Sequence, residues 1–162
     1  IPTIDEYRFE KWAAGAGSVV TGAALTKNTV LNAIIEVGGE MSNGLVPKAN
    51  RTLYVPTTTY KMLVQADAVV ALEKAGNSAV VYGSVGMIDG NHVVPVPDSW
   101  FPTNVAFIIK HKGCTVDPVK LQNYHIRKDA QGFDGPVVEG RIYFDSFVLD
   151  AKKAGVGVYK IS

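Results

Sequence analysis

The sequence predicts an α+β protein, with helices grouped in its first half and strands in its second half. Two observations carry this prediction. Helical hydrophobic patterns occupy most of the first 64 residues, and short strand patterns follow from residue 79 onward, ending in a period-two segment at Val137–Asp150. Helices and strands that are segregated along a chain are typical of α+β folds.

The composition is that of a globular protein without a strong electrostatic preference. Of the 162 residues, 47% are hydrophobic and 19% are charged, which suits a packed core and not a disordered tail. The 16 Lys and Arg residues balance 15 Asp and Glu residues, for a formal net charge of +1. This balance gives no electrostatic argument for nucleic acid or an anionic membrane as the main partner.

The cysteine content and the N-terminal sequence further limit the classes of protein to which this chain can belong. Cys114 is the single cysteine, so neither an internal disulfide nor a cysteine-based zinc site is possible. No apolar run approaches the roughly 20 residues that a membrane span needs, and no signal peptide opens the sequence. Because the first residue is Ile1 and not Met, we expect a fragment of a longer protein.

The first predicted element is a helix near the N-terminus. Thr3 and Glu6 have capping-box spacing, which is typical of a helix start. One predicted face of this helix carries Ile4, Arg8 and Trp12, with Tyr7 and Ala14 beside it. The glycine-rich segment Gly15–Gly22 is expected to end the helix and to form a loose connector.

A second helix follows, capped by Thr26 or Asn28. Its apolar stripe repeats at helical spacing and predicts burial on a broad face. The stripe consists of Val30, Ile34, Val37 and Met41, widened by Leu31 and Ile35. The run Gly38–Gly44, which also contains Ser42 and Asn43, is expected to close this helix.

A short strand and a third helix complete the first half. Thr52–Val55 is a strand by composition. Pro56 is suited to the start of the next helix, which passes through Tyr60, Leu63 and Val64. Ala68–Ala75 predicts a further helical turn or two.

The second half is rich in β-structure. Asp89-Gly90 predicts a tight hairpin turn, and the apolar run Val105–Ile109 predicts a buried strand. Gln122–Lys128 alternates, with Tyr124 and Ile126 on one face. Further short strands are predicted at Ala79–Tyr82, Val85–Ile88 and Val93–Val96.

The strongest strand pattern is Val137–Asp150. Its alternation predicts an antiparallel strand with one dry and one wet face. The dry face carries Val138, Ile142, Phe144 and Val148, with Gly140 and Ser146 between them, and the wet face carries Glu139, Arg141, Tyr143 and Asp145. After a turn at Asp150–Gly155, Val156–Ile161 is expected to return as the partner strand.

Nucleotide-binding and nucleophile motifs are incomplete in this sequence. Gly15-Ala16-Gly17 opens like a dinucleotide fingerprint, but Val20 stands where the third glycine is needed. No Gly-Lys-Ser/Thr triplet forms a P-loop. Gly83-Ser84-Val85-Gly86 resembles a nucleophile elbow, but Tyr82 occupies a position that requires glycine.

Two further clusters have plainer explanations than catalysis or binding. His111, Cys114 and His125 could form a Cys–His pair or a metal site, but surface histidines and a small apolar cysteine explain them without an activated nucleophile. Glu139 and Asp145 flank Arg141 on the wet face, which favours cross-strand ion pairing.

Asn50-Arg51-Thr52 fits a glycosylation sequon, which has no meaning without a secretory signal. The aromatic and basic residues near the C-terminus do not share one face, so a nucleic-acid platform is not favoured.

Three stretches, taken together, resemble one protein family. They are Val138–Asp150 followed by Lys152 and Lys153, Ile4–Phe9, and Asn50–Pro56 followed by a helix. Together they are similar to the closing strand, the end of the spine helix and an axial-domain strand of tailed-bacteriophage (prophage) major capsid proteins of the Hong Kong 97-type fold. The resemblance covers nearly the whole chain, in the same order of elements.

The resemblance implies a domain organisation. Residues 1–23 and 113–162 would form a peripheral domain with the end of the spine helix, and residues 24–112 a mixed axial domain. Gly15–Gly22 and Gly113–Pro118 would be hinges between them. The dry face of the long strand would pack on the spine helix. The N-terminal arm and the extended loop of the family would precede Ile1, so this chain is expected to assemble poorly and to be monomeric.

The resemblance also implies a function. The chain would belong to a structural coat protein, not an enzyme, which self-assembles through pentamers and hexamers into an icosahedral phage head. Scaffold and portal proteins would be partners, packaged DNA would be bound only non-specifically, and no membrane would be involved. The protein would be in the host cytoplasm before assembly and in the capsid of the virion afterwards. No catalytic, cofactor-binding or metal-binding residue is expected.

Three alternatives remain at this point. An encapsulin-like cargo shell would share the fold. A small hydrolase that uses Ser84 or Cys114 would need a concave pocket with a perturbed histidine beside the nucleophile. A binding module without an assembly role would expose one dominant apolar patch or cleft.

Overall fold

A computed structural model describes residues 2–66, 70–71, 86–128, 132 and 135–162. Its elements confirm the predicted α+β class. In chain order they are α1 (Pro2–Gly15), β1 (Ser18–Gly22), α2 (Val30–Asn43), β2 (Arg51–Pro56), α3 (Thr57–Gln65), β3 (Val70–Ala71), β4 (Gly86–Ile88), β5 (Asn91–Val96), a 3₁₀ turn (Asp98–Trp100), β6 (Val105–His111), β7 (Thr115–Val116), β8 (Val119–Arg127), β9 (Val137–Phe144), β10 (Phe147–Val148), a 3₁₀ segment (Asp150–Gly155) and β11 (Val156–Ile161).

The centre of the described structure is a mixed seven-stranded sheet in the order β1-β11-β6-β2-β5-β4-β3. The β1–β11 and β2–β5 pairs are parallel, and the other neighbours are antiparallel. Two small antiparallel pairs, β7–β10 and β8–β9, lie outside this sheet. The seven-stranded sheet therefore combines strands from both of the domains that the resemblance implies.

Helices cover both faces of the large sheet. On one face α2 and α3 pack on alternate side chains of the central strands, and this core includes Val30, Ile34, Val37, Met41, Leu53, Val55, Leu63, Phe107, Ile109 and Tyr159. On the other face α1 forms a second core with Phe9, Trp12, Ala13, Val96, Val105, Ile108, Cys114, Val156 and Val158. Strands buried on both faces read as continuous apolar runs, which explains the pattern of β6.

The face of α1 that packs on the sheet agrees only in part with the face predicted to carry Ile4, Arg8 and Trp12. Trp12 is buried, and the other buried residues in the described part of this helix are Phe9, one turn before it, and Ala13, directly after it. Arg8 is not part of the core face, since its guanidinium pairs with the Asp5 carboxylate at 3.1 Å. The packing face of α1 is therefore the apolar one formed by Phe9, Trp12 and Ala13, which leaves the charged Arg8 outside the core.

The glycine-rich connector after α1 is not loose. Ser18–Gly22 is strand β1, which pairs with β11 at the edge of the sheet. Gly17 donates its amide proton to the Lys153 carbonyl at 2.9 Å. A Cβ atom at Gly17 would lie 2.6 Å from the Lys153 carbonyl carbon, so close backbone approach explains this glycine.

The stripe of α2 and its end at Gly44 are confirmed, but its predicted start needs correction. The helix begins at Val30 after Thr29, and not after Thr26 or Asn28. It continues through the glycine pair to Asn43, because Val37 and Met41 are fully buried on either side of that pair. Ile35 does not widen the buried face, since its side chain is 49% exposed.

The next elements are largely as predicted. Strand β2 and the start of α3 after Pro56 are confirmed. The hairpin at Asp89-Gly90 is also confirmed, with φ angles of 48° and 79° that suit a two-residue turn of type I′. Within the segment Ala68–Ala75, which was expected to be helical, Val70–Ala71 is a strand. The rest of that segment lies outside the described residues. The strand predicted at Ala79–Tyr82 lies outside them as well.

The predicted partner of the last long strand is wrong. Strand β9 pairs with β8, whereas Val156–Ile161 pairs with β1 and β6 inside the large sheet. Val156 and Val158 face α1 and Tyr159 faces α2, so this strand is apolar on both sides and suits a central position. In the expected hinge Gly113–Pro118, Thr115 and Val116 form strand β7, which pairs with β10.

Candidate functional site

The β8–β9 ribbon is the most exposed regular element of the described structure. Its two strands are antiparallel, with Ile126 opposite Val138 and Tyr124 opposite Gly140. Tyr124, Ile126 and Val138 are 60%, 62% and 66% exposed. The two faces of each strand alternate as predicted. The strand predicted at Val137–Asp150 ends at Phe144, however, and its expected dry face is largely exposed and does not pack on α1 along its length.

The apolar face of the ribbon is continuous across both strands. Because opposite residues of an antiparallel pair project from the same side, Tyr124, Ile126, Val138 and the half-buried Ile142 share one face. The Tyr124 ring lies over Gly140, where an added Cβ atom would be 3.0 Å from Cδ1 of the ring. We call these four side chains the ribbon face.

The opposite face of the ribbon is polar. His125 lies opposite Glu139, and Asn123 lies opposite Arg141. Nε of Arg127 is 3.3 Å from a carboxylate oxygen of Glu139, in an exposed ion pair. Cross-strand ion pairing is thus observed for Glu139, and such exposed pairs contribute about 0–1 kcal/mol each.

The ribbon is joined to α1 at its base. The Tyr7 hydroxyl donates to Oδ1 of Asp145 at 2.9 Å, and the Ser146 amide donates to the same oxygen at 2.8 Å. The Ser146 amide and then the Tyr7 hydroxyl hold the pKa of Asp145 below its ordinary value. The Tyr7 and Phe144 rings meet edge to face at 5.5 Å.

A second contact secures the other strand of the ribbon. The Ser146 hydroxyl donates to Oδ1 of Asp117 at 2.6 Å, and the Asp145 amide donates to the Pro118 carbonyl at 3.1 Å. Nε of Arg8 in α1 lies 3.9 Å from Oδ1 of Asp117. Polar contacts therefore fix both strands at the base, while the ribbon face beyond it has little packing within the described chain.

The candidate nucleophile Cys114 has the surroundings of a structural cysteine. Cys114 and His111 line one crevice of about 240 Å³. The thiol, however, contacts the backbone carbonyl oxygens of His111 and Gly155, at 2.8 Å and 3.4 Å. Burial raises the pKa of Cys114, partly offset by the nearby ammonium group of Lys110, so the thiol form is favoured.

The remaining candidate residues do not join this crevice. His125 is on the polar face of the ribbon, opposite Glu139. Ser84 lies outside the described residues. Among the residues that the structure describes, no group of three or more His, Cys, Asp or Glu side chains could hold a metal ion.

The sequence pattern gave no indication of a role for Lys110. Its ammonium group lies 3.8 Å from the centroid of the Trp12 ring and donates to the Thr115 hydroxyl at 3.1 Å. The general period-two geometry of a strand does place Lys110 on the same face of β6 as Ile108, and hence on the α1 side of the sheet.

None of the helices in the described ranges is both long and apolar enough to cross a bilayer.

Solved structures with the same fold come from viral and virus-like shells. The capsid structure of the cyanophage P-SCSP1u matches with a TM-score of 0.73 at 15% identity, over 99% of this chain and 62% of its own. The mature capsid of bacteriophage PhiM1 matches with a TM-score of 0.70 at 13% identity, over 99% and 61%. A virus-like particle from Pyrococcus furiosus gives 0.61 at 12% identity, over 98% and 63%.

The similarity lies in structure and not in sequence. No family model matches this chain, and no curated protein matches it. The chain spans about three fifths of the length of the three solved chains. The agreement over nearly all of its own length includes the mixed sheet and its flanking helices. The chain therefore has the fold of phage major capsid proteins.

Proposed function

We propose that this chain is part of a structural coat protein that self-assembles into the icosahedral head of a phage. The match to phage capsid structures over nearly the whole chain supports this function most strongly. The thiol of Cys114, which is bonded to backbone carbonyls and raised in pKa, offers no comparable support for a hydrolase.

The ribbon face supports an assembly role from this chain's own residues. A two-stranded ribbon is at best marginally stable when nothing covers it. Tyr124, Ile126 and Val138 each expose more than half of their side chains, and burial of such a side chain contributes about 1.5–3 kcal/mol. Closed shells are built from repeated contacts of this modest size. We therefore assign the ribbon face to contact with a neighbouring copy.

The remaining family features belong to the same proposal. Residues 24–112 would meet neighbours around the symmetry axes of pentamers and hexamers, and residues 1–23 and 113–162 would form the peripheral part. Scaffold and portal proteins would be partners, and enclosed DNA would be bound non-specifically. The protein would be in the host cytoplasm before assembly and in the virion afterwards.

The test is assembly of the complete natural protein, supplied with its scaffold and imaged by negative stain. Val138→Asp places a charge on the ribbon face, and Asn123→Asp places the same residue on the polar face of the ribbon. We expect shells from the wild type and from Asn123→Asp. Val138→Asp should give folded but unassembled subunits, because a buried unpaired carboxylate is costly.

Two outcomes separate the parts of this proposal. If the wild type stays monomeric under all assembly conditions, the shell function is wrong. If Val138→Asp forms shells as readily as Asn123→Asp, the shell function stands and the role of the ribbon face is wrong. Circular dichroism and thermal unfolding of the unassembled variants show whether each has kept its fold.

An encapsulin-like cargo shell is the second candidate, because the Pyrococcus furiosus virus-like particle shares the fold at a TM-score of 0.61. The two candidates differ in their contents. Shells purified from the natural host should contain genome-length DNA if they are phage heads, and a protein cargo if they are cargo compartments.

A further inference from the structure

A cavity of about 260 Å³ opens on the α1 side of the central sheet. Strands β2, β5 and β6 contribute side chains to it, and β7 with the residue after it closes one wall. The residues that matter for its chemistry are Thr52, Tyr54, Lys110, Lys112, Thr115 and Asp117. A water molecule occupies about 30 Å³ of liquid, so the cavity has room for a small polar group and accompanying water.

Lys110 is the central charged group of this cavity. Its ammonium group lies against the Trp12 ring, 3.8 Å from the centroid, and 6.0 Å from the centroid of Tyr54. It donates one hydrogen bond, to the Thr115 hydroxyl at 3.1 Å. Among the described residues, no carboxylate forms an ion pair with it. An ammonium group has three donors, so the observed contacts leave its charge incompletely balanced.

The Asp117 carboxylate also lines this cavity and partly offsets the burial that lowers the pKa of Lys110, but it is shared with other donors. Its Oδ1 atom accepts the Ser146 hydroxyl proton at 2.6 Å and faces Nε of Arg8 at 3.9 Å. Lys110 and Lys112 both line the same space, so two lysines stand against this one carboxylate. The cavity therefore has an excess of positive charge. The Trp12 and Tyr54 rings beside it partly shield the Lys110 ammonium group from water.

We propose that this cavity binds one oxyanion, a carboxylate or a phosphate group, between the ammonium groups of Lys110 and Lys112. The Thr115 hydroxyl accepts from Lys110, which leaves its own proton free to donate to the anion. Burial lowers the pKa of Lys110, and a bound anion would offset that cost by favouring the charged form. The anion could be a free phosphate, a phosphate of a larger ligand or a carboxylate of another protein. This inference does not depend on shell assembly.

The test is an NMR titration of this chain with inorganic phosphate, and separately with acetate, at constant ionic strength set by chloride. The Trp12 indole N–H reports on the cavity because its ring lies against Lys110. Trp100 is an internal control, since its ring contacts Phe9 but does not line the cavity. We expect a saturable shift of the Trp12 signal and none of the Trp100 signal.

Matched variants locate the site. Lys110→Met keeps the length and apolar stem of the side chain and should weaken binding at least tenfold. Lys110→Arg should retain most of it, which distinguishes lost charge from a disturbed fold. Lys61→Met removes an exposed charge from α3 and should leave binding unchanged.

Tighter binding of phosphate identifies a phosphate ligand, and tighter or equal binding of acetate identifies a carboxylate. A shift that does not saturate, or equal affinity in Lys110→Met, would overturn the proposal.

Discussion

The side chain of Arg51 is almost fully buried although its charge is permanent. It is 1% exposed, and its guanidinium donates to the carbonyl oxygens of Pro47, Gly38 and Val46 and to the Ser42 hydroxyl, at 2.6–3.1 Å. These acceptors lie in the last part of α2 and in the loop that leads to β2. A buried charge is tolerated only when it is bonded in this way, so Arg51 fixes the loop to the helix.

Replacement of Arg51 should therefore be among the more costly single changes. Arg51→Met fills similar space but leaves four acceptors without this donor, one of them the buried Gly38 carbonyl, and we expect a loss of about 3 kcal/mol in the free energy of unfolding. Urea denaturation measures it. Lys48→Met is the control, because Lys48 is an exposed partner of Asp89 and its pair contributes at most about 1 kcal/mol. Equal losses in the two variants would contradict the role of Arg51.

The sequence could not indicate this role of Arg51. Its acceptors are backbone carbonyls of an irregular loop, which have no sequence signature, and the residue reads simply as the start of strand β2. The buried position of Phe9 was missed for a related reason. Its aromatic neighbours Tyr54, Trp100 and Phe101 come from distant parts of the chain. Residue-scale contacts between distant segments follow from the fold and not from local pattern.

At the scale of elements, local patterns succeeded and distant pairings did not. The α2 stripe, the buried strand β6 and the Asp89-Gly90 turn were predictable because each depends on neighbouring residues. Strand β1 was not, since its pairing with β11 joins opposite ends of the chain. Glycines there indicated flexibility, whereas the structure uses Gly17 for close backbone approach.

Two glycines test the packing of α2 with opposite expected signs. Gly39 is exposed within the helix, and a Cβ atom there would meet nothing within 4 Å. Gly39→Ala should therefore stabilise the protein by about 0.5–1 kcal/mol, because alanine loses less backbone entropy in a helix. A Cβ atom at Gly157 would lie 2.6 Å from Cγ1 of Val37 and 2.8 Å from Sδ of Met41. Gly157→Ala should cost about 1–3 kcal/mol through overpacking.

Both changes are measured by thermal or urea unfolding of otherwise identical chains. The pair is informative because the substitution is the same and only the surroundings differ. A loss at Gly39 would mean that α2 does not continue through the glycine pair. A neutral result at Gly157 would mean that α2 packs less closely on β11 than described.

At the scale of the whole molecule, the described part of the chain divides into a sheet covered by helices on both faces and a ribbon whose observed anchoring contacts lie at its base. The sequence predicted the alternation of Val137–Asp150 but not this division. A period-two pattern shows that one face of a strand is apolar, and it cannot show whether the covering surface belongs to the same chain. The capsid fold makes a neighbouring copy the proposed cover for that face.

Hydrogen exchange tests this division directly. Amides of β6 should exchange only through global unfolding, because Val105–Ile109 are buried on both faces. Amides of β8 and β9 should exchange at least about tenfold faster in the unassembled protein, through local opening of a ribbon with little packing. In assembled shells the ribbon amides should slow markedly while those of β6 change little. Equal protection of ribbon and sheet before assembly would contradict the division, because the ribbon would then unfold together with the core. Unchanged ribbon exchange in the shell would instead show that no neighbour covers the ribbon face.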